Sequence, residues 1–212
     1  MPVKSDDMQD FKNRILHTLK YMGPAEQAKM QIAYIPKPEE TALLVIDVQS
    51  LYADPKRDGN KRTDQVAERI KSIMPAFRKA GVPIYVVYFA QNAYRPHTPA
   101  QMALYKIEPA GEDKLVAKEK NSAFKGSRLA EMLRADNRKL LLTCGFNYSA
   151  CVYETVMDGR DQGFDVAVLR DLTENDRRNE HSEYWKYTKK MAKEGVFFPA
   201  AADVLKTLKQ TV

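Results

Sequence analysis

The chain has 212 residues, 44% of them hydrophobic and 29% charged, which suits a globular domain able to bury a substantial core. Its longest apolar runs, Ala42 to Ile46 and Val82 to Ala90, are too short to span a bilayer, and no apolar segment follows Lys4, so neither a membrane span nor a secretory signal is expected. The net charge of +6 comes from basic residues interleaved with Asp and Glu, without a recognised nucleic-acid-binding signature; no nucleic-acid or membrane partner is expected.

Residues 1–38 read as an N-terminal helical extension, with Phe11, Ile15, Leu16 and Leu19 lining one face ahead of the Pro36-Lys-Pro38 break. Residues 39–212 read as a single domain. Thr41 to Asp47 predicts a first strand, apolar enough to be buried on both faces. Val66, Ile70, Ile73, Met74 and Phe77 recur at helical spacing over Thr63 to Lys79, and Gly81 stops that helix. Pro83 to Phe89 is a second strand. The long connection from Gln91 to Asp113 has its own prolines and Gly111, the mark of a functional loop. Leu115 to Lys118 predicts a third strand and Ser127 to Ala135 a helix.

Leu140 to Leu142 anchors a fourth strand that Gly145 punctuates. A helix begins at Cys151, with Val152, Thr155 and Val156 at helical spacing. Phe164 to Asp171 is a fifth strand, followed by a helix over Asn179 to Glu194. Val196 to Phe198 is a sixth strand ahead of a last helix over Ala201 to Lys209. Strictly alternating strands and helices predict an α/β fold: three αβα layers around a mostly parallel, doubly wound, Rossmann-like sheet of six strands.

In such sheets ligands sit beyond the carboxyl ends of the strands. Those ends bear Asp47, Phe89 to Asn92, Lys118, the Gly145 to Cys151 segment and Asp171, so an acid, an ammonium and a thiol converge on one edge. Cys151 stands in the first turn of a helix, where free N–H groups and the helix dipole lower a thiol pKa and can receive an oxyanion. A buried structural cysteine is the alternative reading. Asp47 could equally cap a turn, and Lys118 could be a solvated surface group. Gly-x-Gly-x-x-Gly, a Walker-type Gly-Lys-Ser/Thr and Gly-x-Ser-x-Gly occur nowhere, so no nucleotide cofactor and no serine elbow are expected. The two cysteines, Cys144 and Cys151, form no disulfide framework, and a reducing, cytoplasmic setting is expected.

Val45-Ile-Asp47-Val-Gln49-x-x-Tyr52, then Lys118-x-x-x-Ser122-Ala-Phe124, then Gly145-x5-Cys151-Val152 resemble the isochorismatase-like cysteine hydrolases. Asp171 followed by His181 is similar to the carboxyl-terminal pattern of that superfamily, and the resemblance spans about residues 40–208. It implies an Asp47-Lys118-Cys151 triad: a cysteine nucleophile, an acid–base aspartate, and a lysine that favours both anions. Lys118 is chosen over Lys120 because its spacing to Ser122-Ala-Phe124 fits the pattern. The resemblance also implies a cis Phe146–Asn147 peptide and an oxyanion held by the N–H groups of Asn147 and Cys151.

Gln49, Tyr52, Phe89, Gln91, Asn92, Tyr94, Arg95 and Tyr148 are the expected substrate contacts, suited to a small polar, planar molecule. The family usually has Phe where Tyr52 stands. Nicotinamidase-like members bind a metal through an Asp and two His, whereas this chain has only His97 in its middle portion; no catalytic metal and no cofactor are expected. Retention of Cys151 favours amide or related C–N hydrolysis. Vinyl-ether hydrolysis and a non-catalytic interaction module are the alternatives. A homo-oligomer, dimer or tetramer, is expected from the resemblance alone.

Overall fold

The computed structural model describes residues 37–90, 97–180, 182 and 184–208. The expected N-terminal extension lies outside them, apart from its last two positions. Five strands form one sheet: β1 (Thr41–Ile46), β2 (Ile84–Phe89), β3 (Lys114–Lys118), β4 (Leu140–Gly145) and β5 (Asp165–Thr173), in the order β3-β2-β1-β4-β5. Every pairing is parallel. Parallel strands need crossover connections, and here these are α1 (Ser50–Ala53) with α2 (Lys61–Lys79), α3 (Pro99–Met102), α4 (Leu129–Ala135) and α5 (Tyr153–Asp161). Helices α6 (Tyr184–Lys193) and α7 (Ala201–Leu208) complete the αβα layers.

The apolar runs are continuous because the central strands are covered on both sides. All six residues of β1 and of β4 are buried, while edge strand β3 alternates. Helix α2 lays Val66, Ala67, Ile70, Met74 and Phe77 into the core, each large side chain contributing about 1.5–3 kcal/mol by burial. Asn60 starts it, accepting from the N–H groups of Arg62 and Thr63, while Thr63 Oγ1 accepts from the Asn60 N–H.

The expected sixth strand is reduced to a single parallel bridge, Ala167 to Phe197. Gly195, at φ +78°, turns the chain just before it, and Pro199 has no N–H with which to continue a ladder. The fifth strand runs two residues past Asp171. That carboxylate caps α7 instead, accepting from the Ala201 N–H at 2.9 Å, so Asp171 is not at the functional edge. Helix α6 begins at Tyr184, not Asn179, because residues 174–176 form a polar turn tied to the loop after β4.

The sheet order reverses between β1 and β4, since β1 leads on to β2 on one side and β4 to β5 on the other. At that point the two backbones crowd together. Gly145 pairs with Ile46 in the register and adopts φ +111°; a Cβ there would sit 1.9 Å from the Ile46 carbonyl oxygen. Only glycine meets both demands. Gly145→Ala is therefore expected to destabilise the fold by at least about 3 kcal/mol, measured as a lowered denaturant midpoint; an unchanged midpoint would contradict this packing.

Candidate active site

Three strand ends supply the site. At the end of β1 the chain turns through a left-handed residue, Asp47 at φ +52°, whose N–H still donates to Val87 O at 2.9 Å. Aspartate is among the few non-glycine residues that tolerate this conformation. Lys118 ends β3, and its Nζ lies 2.9 Å from Asp47 Oδ2, with both side chains essentially inaccessible. The same ammonium donates to Lys120 O at 3.1 Å and Asn121 O at 2.9 Å, so with the Asp47 ion pair three oxygens surround it. Its underside rests on the Phe89 ring, 3.5 Å from the centroid, a desolvated cation–π contact of about 2 kcal/mol. Asp47 Oδ1, also buried, accepts no hydrogen bond from any described residue.

Cys151 follows β4. It lies in a π-helical turn, Tyr148–Val152, just ahead of α5, and is 5% exposed. Its thiol is close enough to Asp47 and Lys118 for each group to bear on its ionisation. Burial pushes the thiol pKa up, the Asp47 charge pushes it further, and Lys118 opposes them only in part. The expected lowering by a helix N-terminus is thus outweighed, and the balance at Cys151 favours the neutral thiol. Burial likewise raises the Asp47 carboxyl, with Lys118 and then the thiol pulling it down.

The Phe146–Asn147 peptide is cis. The turn that follows is clamped by residues after β5. Tyr148 N donates to Glu174 O at 3.1 Å, and Ser149 N to Asn175 Oδ1 at 3.0 Å. The Asn147 side chain pairs reciprocally with Asp176: Nδ2 donates to Asp176 Oδ2 at 3.1 Å, and Oδ1 accepts from Asp176 N at 2.6 Å. Ala150 and Val152 N–H both go to Asn147 O at 3.0 Å. Glu174, Asn175 and Asp176 are all buried. Taking Asp171 as the strand end hid them, although Thr173 to Asp176 is a run of polar residues directly after an apolar strand. Asn121, whose Oδ1 lies 3.8 Å from Cys151 Sγ, was also missed, because it occupies a variable position inside the lysine motif.

The expected substrate contacts divide. Phe89 and Tyr52 stand beside the triad, their rings 6.3 Å apart, with the Arg178 guanidinium 5.5 Å above Tyr52. Gln49 does not face a ligand. Its amide is used up as a strap, Nε2 donating to Phe89 O and Met102 O while Oε1 accepts from Phe89 N. Tyr148 is also turned away, its ring stacked on Tyr184 at 4.8 Å and its hydroxyl on Thr188. Gln91, Asn92, Tyr94 and Arg95 lie outside the described residues, as does His181. Among the described residues, no group of three or more His, Cys, Asp or Glu is arranged to hold a metal, and no helix is long and apolar enough to cross a membrane.

Comparison with known proteins agrees with this fold. The chain is 28% identical over 141 residues to the uncharacterized isochorismatase family protein YrdC of Bacillus subtilis (strain 168), covering 64% of this chain and 74% of that one. It is 27% identical over 175 residues to the ureidoacrylate amidohydrolase RutB of Acinetobacter baylyi, covering 64% and 69%. A cysteine hydrolase from Pseudomonas syringae pv. phaseolicola 1448A shares the fold at a TM-score of 0.74 and 19% identity, over 85% of this chain and 98% of that one. The isochorismatase domain family matches residues 41–196, and the chain belongs to that family of hydrolases.

Proposed function

We propose that this chain is a cysteine-dependent hydrolase of a small amide, ureide or related C–N bond, working through a thioester without a metal. The observation that carries the reading is the buried Lys118–Asp47 ion pair at 2.9 Å, set against the Cys151 thiol where the sheet order reverses. A charged pair costs several kcal/mol per ion to desolvate, so it is poorly explained as a stabilising device. It is well explained as a proton acceptor held ionised next to a nucleophile. Relatives include both an isochorismatase and the amidohydrolase RutB, and it is the retention of Cys151 that tilts the reading toward C–N chemistry.

Asp47 takes the thiol proton through its open Oδ1 as sulfur bonds to the acyl carbon. The N–H groups of Asn147 and Cys151 receive the oxyanion, in a turn made rigid by residues 174–176. Collapse breaks the C–N bond, and Asp47 returns the proton to the leaving nitrogen. Asp47 then deprotonates a water that attacks the thioester; the C–S bond breaks and sulfur recovers its proton. Lys118 stays protonated and keeps Asp47 available as an anion. The Phe89 and Tyr52 rings form an apolar wall that suits a small planar acyl group. The lone central histidine, His97, leaves the donor set short of the two that nicotinamidase-type metal binding needs.

Cys151→Ala is expected to abolish ammonia release from a panel of small amides and ureides, with kcat lower by roughly 10⁴-fold or more. Retained turnover in that variant would sink the cysteine mechanism, and no release from any panel member would sink the C–N reading.

The pH profile gives a second check. Asp47 must be ionised to act, and burial lifts it above its ordinary 3.8, so kcat/KM is expected to fall as pH drops through that raised value. Because Lys118 pulls the carboxyl down, the residual activity of Lys118→Met is expected to show its acidic limb at higher pH. A limb that stays in place would separate Lys118 from the titration.

A further inference from the structure

A third polar side chain meets the sulfur. Asn121 follows β3, and its carbonyl already holds one Lys118 N–H at 2.9 Å. Its side-chain Oδ1 lies 3.8 Å from Cys151 Sγ, within reach of the thiol proton, while Nδ2 donates to Glu154 Oε1 at 2.7 Å. An ionised carboxylate has only acceptors to offer. Glu154 can therefore engage only the NH₂ end of the amide, and that decides which end faces the sulfur. The oxygen end favours S–H, because a carbonyl dipole points its negative end at any thiolate; the flipped amide would favour the anion.

We propose that Asn121 controls the protonation of Cys151 by accepting its S–H in the resting site, and that Glu154 acts through Asn121 by locking the amide. The proposal builds on Cys151 being the nucleophile. The thiol proton then has two acceptors, the neutral Asn121 Oδ1 and the Asp47 carboxylate that bears on the same thiol. A rotation about the Cβ–Sγ bond turns it from one toward the other. Asn121 holds the sulfur in its less reactive form until that rotation delivers the proton to the base. The charged groups facing the thiol are Asp47 from the end of β1 and Lys118 from β3, with Glu154 of α5 behind the amide. Glu154 alone would also act through space by its charge, and the experiment has to separate the two routes.

The measurement is the pH dependence of Cys151 alkylation by iodoacetamide without substrate, followed on the Cys151 peptide by mass spectrometry. Asn121→Ala is expected to lower the midpoint by about one unit and so raise the rate at neutral pH about tenfold. Glu154→Ala is expected to lower it in the otherwise native protein and to do nothing further in the Asn121→Ala background. Asn121→Asp combined with Glu154→Gln, whose amide can donate to the new carboxylate, keeps an acceptor facing sulfur and brings charge nearer to it; it is expected to raise the midpoint, and gives a reading if the alanine variant does not fold. An unmoved midpoint in Asn121→Ala, a lowered or unmoved one in the Asn121→Asp, Glu154→Gln double variant, or equal Glu154→Ala shifts in both backgrounds would overturn the proposal. Because alkylation needs no turnover, its outcome is distinct from failure of the nucleophile reading, which shows as activity in Cys151→Ala.

Discussion

The active edge depends on one reach: the Lys118 side chain crossing from β3, over β2, to Asp47 at the end of β1. Two strand spacings are about 10 Å, and only a long, thin side chain with a compact charged tip can cover that distance. Phe89, at the end of the strand between, is the surface it crosses, 3.5 Å beneath the ammonium. The desolvation cost is met locally, by the three oxygens around the ammonium and by the ring face. Losing either ion would leave the other buried and uncompensated, a cost of about 3–5 kcal/mol. The geometry of the first three strands is thus tied to the ionisation of one carboxylate.

The strands were readable in the sequence because they are buried on both faces, and the continuous apolar runs Ala42 to Ile46 of β1 and Leu140 to Leu142 of β4 leave little else for those segments to be. Strand ends then brought Asp47, Lys118 and Cys151 to one edge, and the family spacing to Ser122-Ala-Phe124 separated Lys118 from Lys120. What failed to read had specific causes. Val196 to Phe198 has strand composition, but Pro199 denies it the ladder. Asp171 looked terminal because Arg170 and Asp171 are two charged residues in a row, though Leu172 and Thr173 continue β5. Gln49 and Tyr148 sit at the right positions to meet a ligand; only the directions of their side chains show otherwise, and direction has no signature in a linear pattern.

The thiol shows a sharper form of the same lesson. A helix start promises an acidic cysteine, but the promise assumes solvent nearby. Here the thiol is enclosed with a carboxylate, and both effects run against ionisation. The proposed mechanism therefore activates it through a proton acceptor and not through a standing thiolate. That places the demand for precision on the turn at residues 147–149, which the buried residues 174–176 hold by five hydrogen bonds from the segment after β5.

The Gln49 strap has a consequence for how such a scaffold diversifies. One side chain binds the backbone at Phe89 and at Met102, closing the two ends of the intervening segment against the end of β1. With the ends pinned, the entropy of closing that loop changes only slowly with its length, about 0.6 kcal/mol per doubling. Gln49 thus ties the spacing of Phe89 and Met102 to the end of the central strand, so the position of both anchors is inherited from the sheet whatever length of chain separates them.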